Sequence, residues 1–459
     1  MANLPAAFIE YTRQLMGEER FGRYLKSFEE EPSVSIRLNP MKIKEGRWQI
    51  EDAETVPWCR NGYYLKQRPN FTFGDFDCDS AKRAEARWPS LRPKFTFDPL
   101  FHAGCYYVQE AASMFLDEVL RQYLTSDIIP HTSLDLCAAP GGKSTLLRAA
   151  LPDDCVLYSN DPIRNRASIL LENVTKWGYP NHYVTNAYPK DYRKAKTKFD
   201  LILCDVPCSG EGMFRKDEAT IREWSPQQVE KCWQLQRDIV TDAWACLNDG
   251  GLLIYSTCTF NTKENEENIR WILETFDDAE VVPVDVKSEW IALQRHTLKE
   301  RTTHSDHWSE NITGSLLEGF HEPVYRFIPG ISRSEGLFVC VLLKGSGRTA
   351  PTEQADYSHA GNKRFPRWEQ KIPTLGTIPL HVDGPQVELT YQQAMAYLRH
   401  EALVLPEDTP RGLVNVAFQG FPLGPAKNIG SRANNLYPKE WKIKTTHIPN
   451  DYEPILKRL

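Results

Sequence analysis

From about Ser133 the chain repeats one pattern: a short apolar run, a polar or glycine-bearing turn, then a segment with helical spacing. The runs at 134–137, 156–158, 201–204 and 252–255 read as strands, and 163–177 and 227–247 read as helices between them. Strands alternating with helices at this rhythm predict a parallel sheet with crossover helices. In such sheets ligands bind beyond the carboxyl ends of the strands, so the residues that follow each run are the candidates for chemistry.

The rest of the composition sets bounds. At 459 residues the chain exceeds what one core supports, so two or three domains are expected. No apolar run reaches the roughly 18 residues of a membrane span, and Glu10 and Arg13 interrupt the N-terminal segment, so a cytoplasmic protein is expected. Eleven scattered cysteines suit reduced thiols rather than a disulfide framework. Cys204 and Cys208 form a CxxxC with no second ligand pair, so no metal site is expected. The net charge is -6, yet from Arg411 onward there are eight Lys or Arg and three acids, which suits phosphate contact or simply a solvated basic face.

Around the repeating region the signals are mixed. Phe8, Tyr11 and Leu15, then Phe21, Tyr24 and Leu25, fall at helical spacing, and 33–40 reads as a short strand closed by Pro40. A near-duplicate, Arg68-Pro69-Asn70-Phe71-Thr72-Phe73 and Arg92-Pro93-Lys94-Phe95-Thr96-Phe97, brackets a polar stretch near 74–94 that reads as an insertion. Residues 344–351 read as a linker, 389–401 as a helix, and 413–421 as a strand ending near Gly420 and Gly424.

Three motifs sit where the sheet pattern puts chemistry. Cys137-Ala138-Ala139-Pro140-Gly141-Gly142-Lys143 is a strand-to-helix turn that brings backbone close to a ligand and offers helix N-terminal amides to an anionic group, unless it is only a structural turn. A phosphate-binding P-loop would need glycine at Cys137, so that match fails. Asp161, ending the next strand, suits either a grip on ribose hydroxyls or the start of the helix at Ile163. Cys208 in Asp205-Val206-Pro207-Cys208-Ser209-Gly210 and Cys258 in Ser256-Thr257-Cys258-Thr259 place one thiol after each of two further strands. The acids Glu264, Glu266 and Glu267 read as the first turn of the following helix, and they oppose ionisation of Cys258, so another group must activate it. Arg215 and Lys216 beside the Cys208 loop are candidate phosphate contacts or solvated charges.

Together these residues resemble the Sun-type RNA (cytosine-5) methyltransferases, and within them the RsmF-like bacterial enzymes of 16S ribosomal RNA. The resemblance covers 35–40, 107–114, 137–143, 205–216, 255–267, 420–424 and 435–438. It implies an α/β fold: a Rossmann-like methyltransferase domain at 99–344, an N-terminal α+β extension at 1–98, a linker or small subdomain at 345–385, and a PUA-like RNA-binding domain at 386–459. It implies S-adenosylmethionine as cofactor, lined by Cys137, Ala138, Ala139, Pro140, Gly141, Gly142, Lys143, Asp161, Arg166 and Asp205. Many relatives carry an acid after the third strand where this chain has Asn186, which is expected to face the adenine instead.

The resemblance further assigns Cys258 as the nucleophile at cytosine C6, Cys208 to breakdown of the adduct, and Asp205 to face the base. The chemistry explains the pairing, since thiolate addition at C6 turns the unreactive C5 into an enamine carbon, and removing the C5 proton later expels the sulfur. The target base is expected to be flipped or unpaired. The expected partner is RNA, in 16S ribosomal RNA or the small subunit. Transfer to transfer RNA shares every motif, and a non-catalytic RNA-binding assembly factor would need neither thiol.

Overall fold

Apolar spacing at the N-terminus produces α1 (Ala6–Lys26), as expected. Its buried residues are Phe8, Thr12, Met16, Phe21 and Tyr24. Gly17 takes φ 75° and interrupts the helix, Leu25 lies on the outer side, and the part-exposed Tyr11 meets Thr262 Oγ1 with its hydroxyl at 3.0 Å. The buried face packs on Phe214, Trp224 and Phe260, with the Phe8 and Phe214 rings 4.9 Å apart. In the computed structural model, residues 4–66, 95–124, 129–286, 315–345, 371–376, 378–445, 448–449, 452 and 454–459 are described. The stretch near 74–94 lies outside them.

The N-terminal part adds β1 (Val34–Leu38), β2 (Trp48–Ile50), β3 (Glu54–Thr55), β4 (Gly62–Leu65) and β5 (Tyr106–Val108), then α2 (Phe115–Tyr123). Its four-stranded sheet has the order β3-β4-β1-β5. The central sheet begins with β6 (Thr132–Asp135), and α3 (Gly142–Ala150), β7 (Val156–Asn160), α4 (Arg164–Trp177) and β8 (His182–Thr185) follow. After α5 (Pro189–Ala195) come β9 (Phe199–Asp205), α6 (Glu218–Glu223), α7 (Pro226–Cys246) and β10 (Leu247–Thr257). Next are α8 (Glu266–Thr275), β11 (Ala279–Val281), β12 (Tyr325–Phe327) and β13 (Leu337–Lys344).

Strands β10-β9-β6-β7-β8 run parallel, and β13 joins β10 antiparallel. Their almost fully buried faces account for the continuous apolar runs. The order reverses between β6 and β9, and this switch point opens the crevice in which ligands of such sheets bind. Within the stretch expected as a linker, β14 (Thr374–Leu375) pairs with the outer edge of β8, and Ile372 and Leu375 are buried there.

The C-terminal part holds β15 (Gln386–Glu388), α9 (Tyr391–Leu398), β16 (Gly412–Phe418), β17 (Phe421–Asn428) and β18 (Ala433–Asn435). The stretch read as one strand, 413–421, is instead a hairpin. Gln419 and Gly420 both take positive φ, 51° and 83°, the backbone of a tight two-residue turn, and Phe418 pairs with Phe421. The final strand, β19 (Leu456–Arg458), pairs with β2, and one apolar core runs through both terminal parts, from Ile36 and Leu100 to Tyr397 and Leu456.

Buried Asp98 pins that joint. Its carboxylate accepts from Leu100 N at 2.9 Å, Tyr106 Oη at 2.7 Å and Tyr452 Oη at 2.9 Å. Burial raises its pKa to about 6 despite these donors. A carboxyl that holds its proton more tightly folded than unfolded contributes stability fully present below the unfolded pKa and lost as pH rises through the folded one. Thermal melts of wild type and Asp98→Asn are therefore expected to converge or cross as pH rises from about 4 to about 6, wild type losing ground. A stability difference independent of pH over that window would contradict this reading.

Candidate active site

Parallel neighbours β9 and β10 are in register, with Cys204 opposite Tyr255 and Asp205 opposite Ser256. The loops that follow them are therefore side by side, and they bring two thiols fifty residues apart in sequence together. Cys208 Sγ and Cys258 Sγ are 3.3 Å apart. Gly212 N donates to Cys258 O at 2.8 Å, and a Cβ at position 212 would approach that oxygen to 2.7 Å, so only glycine permits the contact. The Ser209 and Thr259 hydroxyls meet at 2.9 Å. Cys208 is held well above the ordinary thiol range, first by its hydrogen bond to Cys258 and then by burial.

Asp205 ends β9 between two donors. Lys143 Nζ lies 2.9 Å from its Oδ2, and Ser256 Oγ donates to its Oδ1 at 2.7 Å. Burial acts to lower the Lys143 pKa, but the Asp205 charge outweighs it, with a further contribution from Cys258, and the ammonium is held above its usual value. A cation thus stands in the field of Cys258, where the sequence showed only acids.

The glycine-bearing turn lies across the switch point. Gly141 adopts φ 115°, a backbone open to glycine at little cost, and α3 starts at Gly142 with its first amides unpaired within the helix. Asn173 Nδ2 donates to Pro140 O at 2.8 Å, and Ala138 N to Asn160 O at 2.8 Å. The N-terminal part braces the turn from below. Buried Arg37 donates to Gly142 O at 3.2 Å, Thr145 Oγ1 at 2.6 Å and Gln109 Oε1 at 2.8 Å, and stacks 4.5 Å from the Trp177 ring. Gln109 Nε2 and Asp135 Oδ1 are buried without a partner here, and burial pushes Asp135 up to about 7. Cys137 lies at the start of the turn, its thiol raised by burial.

Asp161 does what its local reading suggested: Oδ1 accepts from Ile163 N at 2.9 Å. Oδ2 pairs with Arg166 Nε at 3.2 Å, and Arg166 Nη2 also donates to Ala139 O at 3.1 Å, so the arginine staples Asp161 to the turn. Asn186 Nδ2 donates to Asp161 O at 2.7 Å, and its own N donates to Pro373 O at 3.0 Å. It lines a cavity of about 440 Å³ with Pro162, Tyr188 and Lys371.

One expectation needs correction. Arg215 is not a free phosphate contact, because it pairs with Glu335 at 2.8 Å and donates to Ser27 O and Glu30 O, both at 2.9 Å. Lys216 remains exposed. Of the acids after Cys258, Glu266 and Glu267 do form the first turn of α8, as expected. Glu266 is buried against Arg326 at 2.7 Å, and Glu264 precedes α8, buried, with its pKa raised to about 7 by burial and then by Glu211. Glu211 and Gln236, which contact the thiol loops, carry no distinguishing signal in the sequence beyond the place of Glu211 in the Cys208 loop.

Comparison with known proteins places this geometry. Residues 129–343 match the family described as 16S rRNA methyltransferase RsmB/F, 4–76 the N-terminal domain of 16S rRNA methyltransferase RsmF, and 385–443 the methyltransferase RsmF PUA domain. A ribosomal RNA small subunit methyltransferase F of Erwinia tasmaniensis is 26% identical over 95% of this chain and 96% of its own length. That of Escherichia coli O139:H28 is 27% identical over the same shares. Among solved structures, NSun6 from Pyrococcus horikoshii with SFG shares the fold at a TM-score of 0.54 and 21% identity, covering 75% of this chain and 99% of that one. A methyltransferase homolog protein from Pyrococcus horikoshii aligns at a TM-score of 0.51 and 24% identity, over 74% and 100%. The three matched segments follow one another in a single family's order, around a switch-point turn and a pair of adjacent thiols, and the chain belongs to the S-adenosylmethionine-dependent 16S rRNA methyltransferase family RsmB/F.

Proposed function

We propose that the chain methylates C5 of a cytosine in structured RNA, in 16S ribosomal RNA of the small subunit, through a covalent bond between Cys258 and C6. The observation that carries this reading is the 3.3 Å approach of Cys208 and Cys258 beside the 137–143 turn. Among the described residues no helix is long and apolar enough to cross a membrane, which accords with action on RNA in the cytoplasm. The catalytic unit is 99–344, with 1–98 and the PUA-like 386–459 supplying RNA contacts.

The turn suits S-adenosylmethionine. The unpaired amides at the start of α3 and the unpartnered Gln109 Nε2 are donors for its carboxylate, while Asp161, in reach of ribose hydroxyls, and Asn186, beside adenine, flank the other end. Cys137, Ala138, Ala139, Pro140, Gly142 and Lys143 line the same path, and Arg166 acts on it through Asp161. When bound, the cofactor supplies an electrophilic methyl carbon.

The remaining steps belong to the chain's own residues. Cys258 adds to C6 as the thiolate with the Lys143 ammonium in its field, while Asp205 accepts a hydrogen bond from the exocyclic amino group of the base and the Lys143 cation paired with it offsets the negative charge that develops on the ring. Before addition Cys208 holds its proton because it is hydrogen-bonded to Cys258. Once Cys258 sulfur is bonded to carbon that negative charge is gone, so Cys208 releases its proton to solvent and takes the proton from C5. The electron pair of the C5–H bond then reforms the ring double bond and expels Cys258.

Cys258→Ala is expected to abolish transfer of labelled methyl to RNA, and substantial residual transfer would assign the nucleophile elsewhere. Cys208→Ala is expected to accumulate a protein–RNA adduct stable to denaturing electrophoresis, whereas turnover without any adduct would remove Cys208 from the release step. Gly141→Ala forces a side chain to φ 115° and brings Cβ within 3.1 Å of Leu170 Cδ1. It should cost about 1–2 kcal/mol of stability. Calorimetry should show clearly weaker binding of S-adenosylhomocysteine; unchanged affinity would place the cofactor away from this turn.

A further inference from the structure

The two thiol loops are held together by a pair of carboxylates that the reaction scheme leaves unused. Glu211 belongs to the Cys208 loop but binds the Cys258 loop: Oε2 accepts from Phe260 N at 2.7 Å and Asn261 N at 3.0 Å, and Oε1 from Trp224 Nε1 at 3.1 Å. Glu264 belongs to the Cys258 loop but binds the Cys208 loop: Oε2 accepts from Ser209 N at 3.0 Å and from Gln236 Nε2 at 2.7 Å. Asn261 Nδ2 stands between them and donates to Glu264 Oε1 at 2.7 Å and to Glu211 Oε1 at 3.1 Å. Gln236, from α7, extends the clamp with a bond from the same Nε2 to Pro207 O at 2.9 Å.

Glu211 and Glu264 are 1% and 0% exposed, and among the described residues neither makes an ion pair. Buried carboxylates without a cation are costly, and a core that needed only cohesion would use apolar side chains at lower cost. What carboxylates provide and apolar groups cannot is a fixed set of backbone amides on both sides. The amides held are those of Ser209, next to Cys208, and of Phe260 and Asn261, just after Cys258.

We propose that Glu211 and Glu264, bridged by Asn261, are positioning residues that set the distance between the two thiols, with Glu264 fixing the one that clears the adduct. Glu264 acts on Cys208 through the adjacent Ser209 amide, so weakening it frees Cys208 while Glu211 still holds the loop of Cys258. The result is an enzyme that still forms the bond to RNA but breaks it slowly. This inference rests on the proposed covalent route.

The test compares wild type, Cys208→Ala, Glu264→Gln and Gln236→Met on small subunits from cells lacking the protein. The readouts are methyl transfer, protein–RNA adduct on denaturing gels, thermal melting and S-adenosylhomocysteine binding. Replacing the carboxylate with an amide sets a donor against Ser209 N or Gln236 Nε2, while cofactor binding should be kept. Glu264→Gln is expected to lower turnover on the order of 10- to 100-fold while raising the adducted fraction about tenfold, as a displacement near 1 Å can do. Gln236→Met should shift both in the same direction, and it carries the test if Glu264→Gln does not fold. If Cys208→Ala traps adduct but the other two lose activity only in step with their folded fraction, the positioning role is overturned. If Cys208→Ala itself traps nothing, Cys208 does not clear the adduct and the inference falls with that step, while transfer by Cys258→Ala tests the covalent route separately.

Discussion

The parallel pairing of β9 with β10 is the constraint on which the rest depends. Each strand carries a polar residue of the site at or next to its end, Asp205 on one and Ser256 beside it on the other, and each continues into a loop that bears a thiol. No local preference of either loop could bring sulfur to sulfur; the backbone ladder does so, and Gly212 lets the loops close until its amide reaches Cys258 O. Because β6 is the other neighbour of β9, the glycine-bearing turn opens onto the same crevice. Lys143 then spans from the turn to Asp205.

The surroundings of the two thiols differ. Lys143 lies in the field of Cys258, and the hydrogen bond from one sulfur to the other keeps a proton on Cys208. In the proposed route the first attacks and the second waits. The terminal parts support this arrangement directly. Arg37 braces the turn, α1 packs through Tyr24 on Phe260 within the Cys258 loop, and Asp98 ties the C-terminal Tyr452 to the N-terminal sheet.

The central sheet was legible because strands buried on both faces are apolar throughout, and 134–137, 156–158, 201–204 and 252–255 all fall within or against observed strands. The turn and thiol loops were legible from where they sit after those strands. What was not legible depends on partners distant in sequence. Arg215 looks like a surface cation until Glu335, 120 residues on, is folded against it. Glu266 does open α8, but its pairing with Arg326, and the bonds of Glu264 to Ser209 and Gln236, depend on residues far off in sequence. The hairpin at 419–420 was hidden because Gln419 is not a residue that announces positive φ, and β14 because two residues carry no periodicity. Asp161 suited two roles on the page, and the structure shows its local bond to Ile163 directly.

The most direct measurement of the central claim uses small-subunit ribosomal RNA in which cytidine is replaced by 5-fluorocytidine, whose C5 carries no proton to remove after methylation. Incubated with the protein and S-adenosylmethionine, then digested and analysed by mass spectrometry, the RNA should leave a methylated fluorocytidine bonded to the peptide that contains Cys258. A nucleotide found on the Cys208 peptide, or methylated product with no peptide attached, would contradict the account.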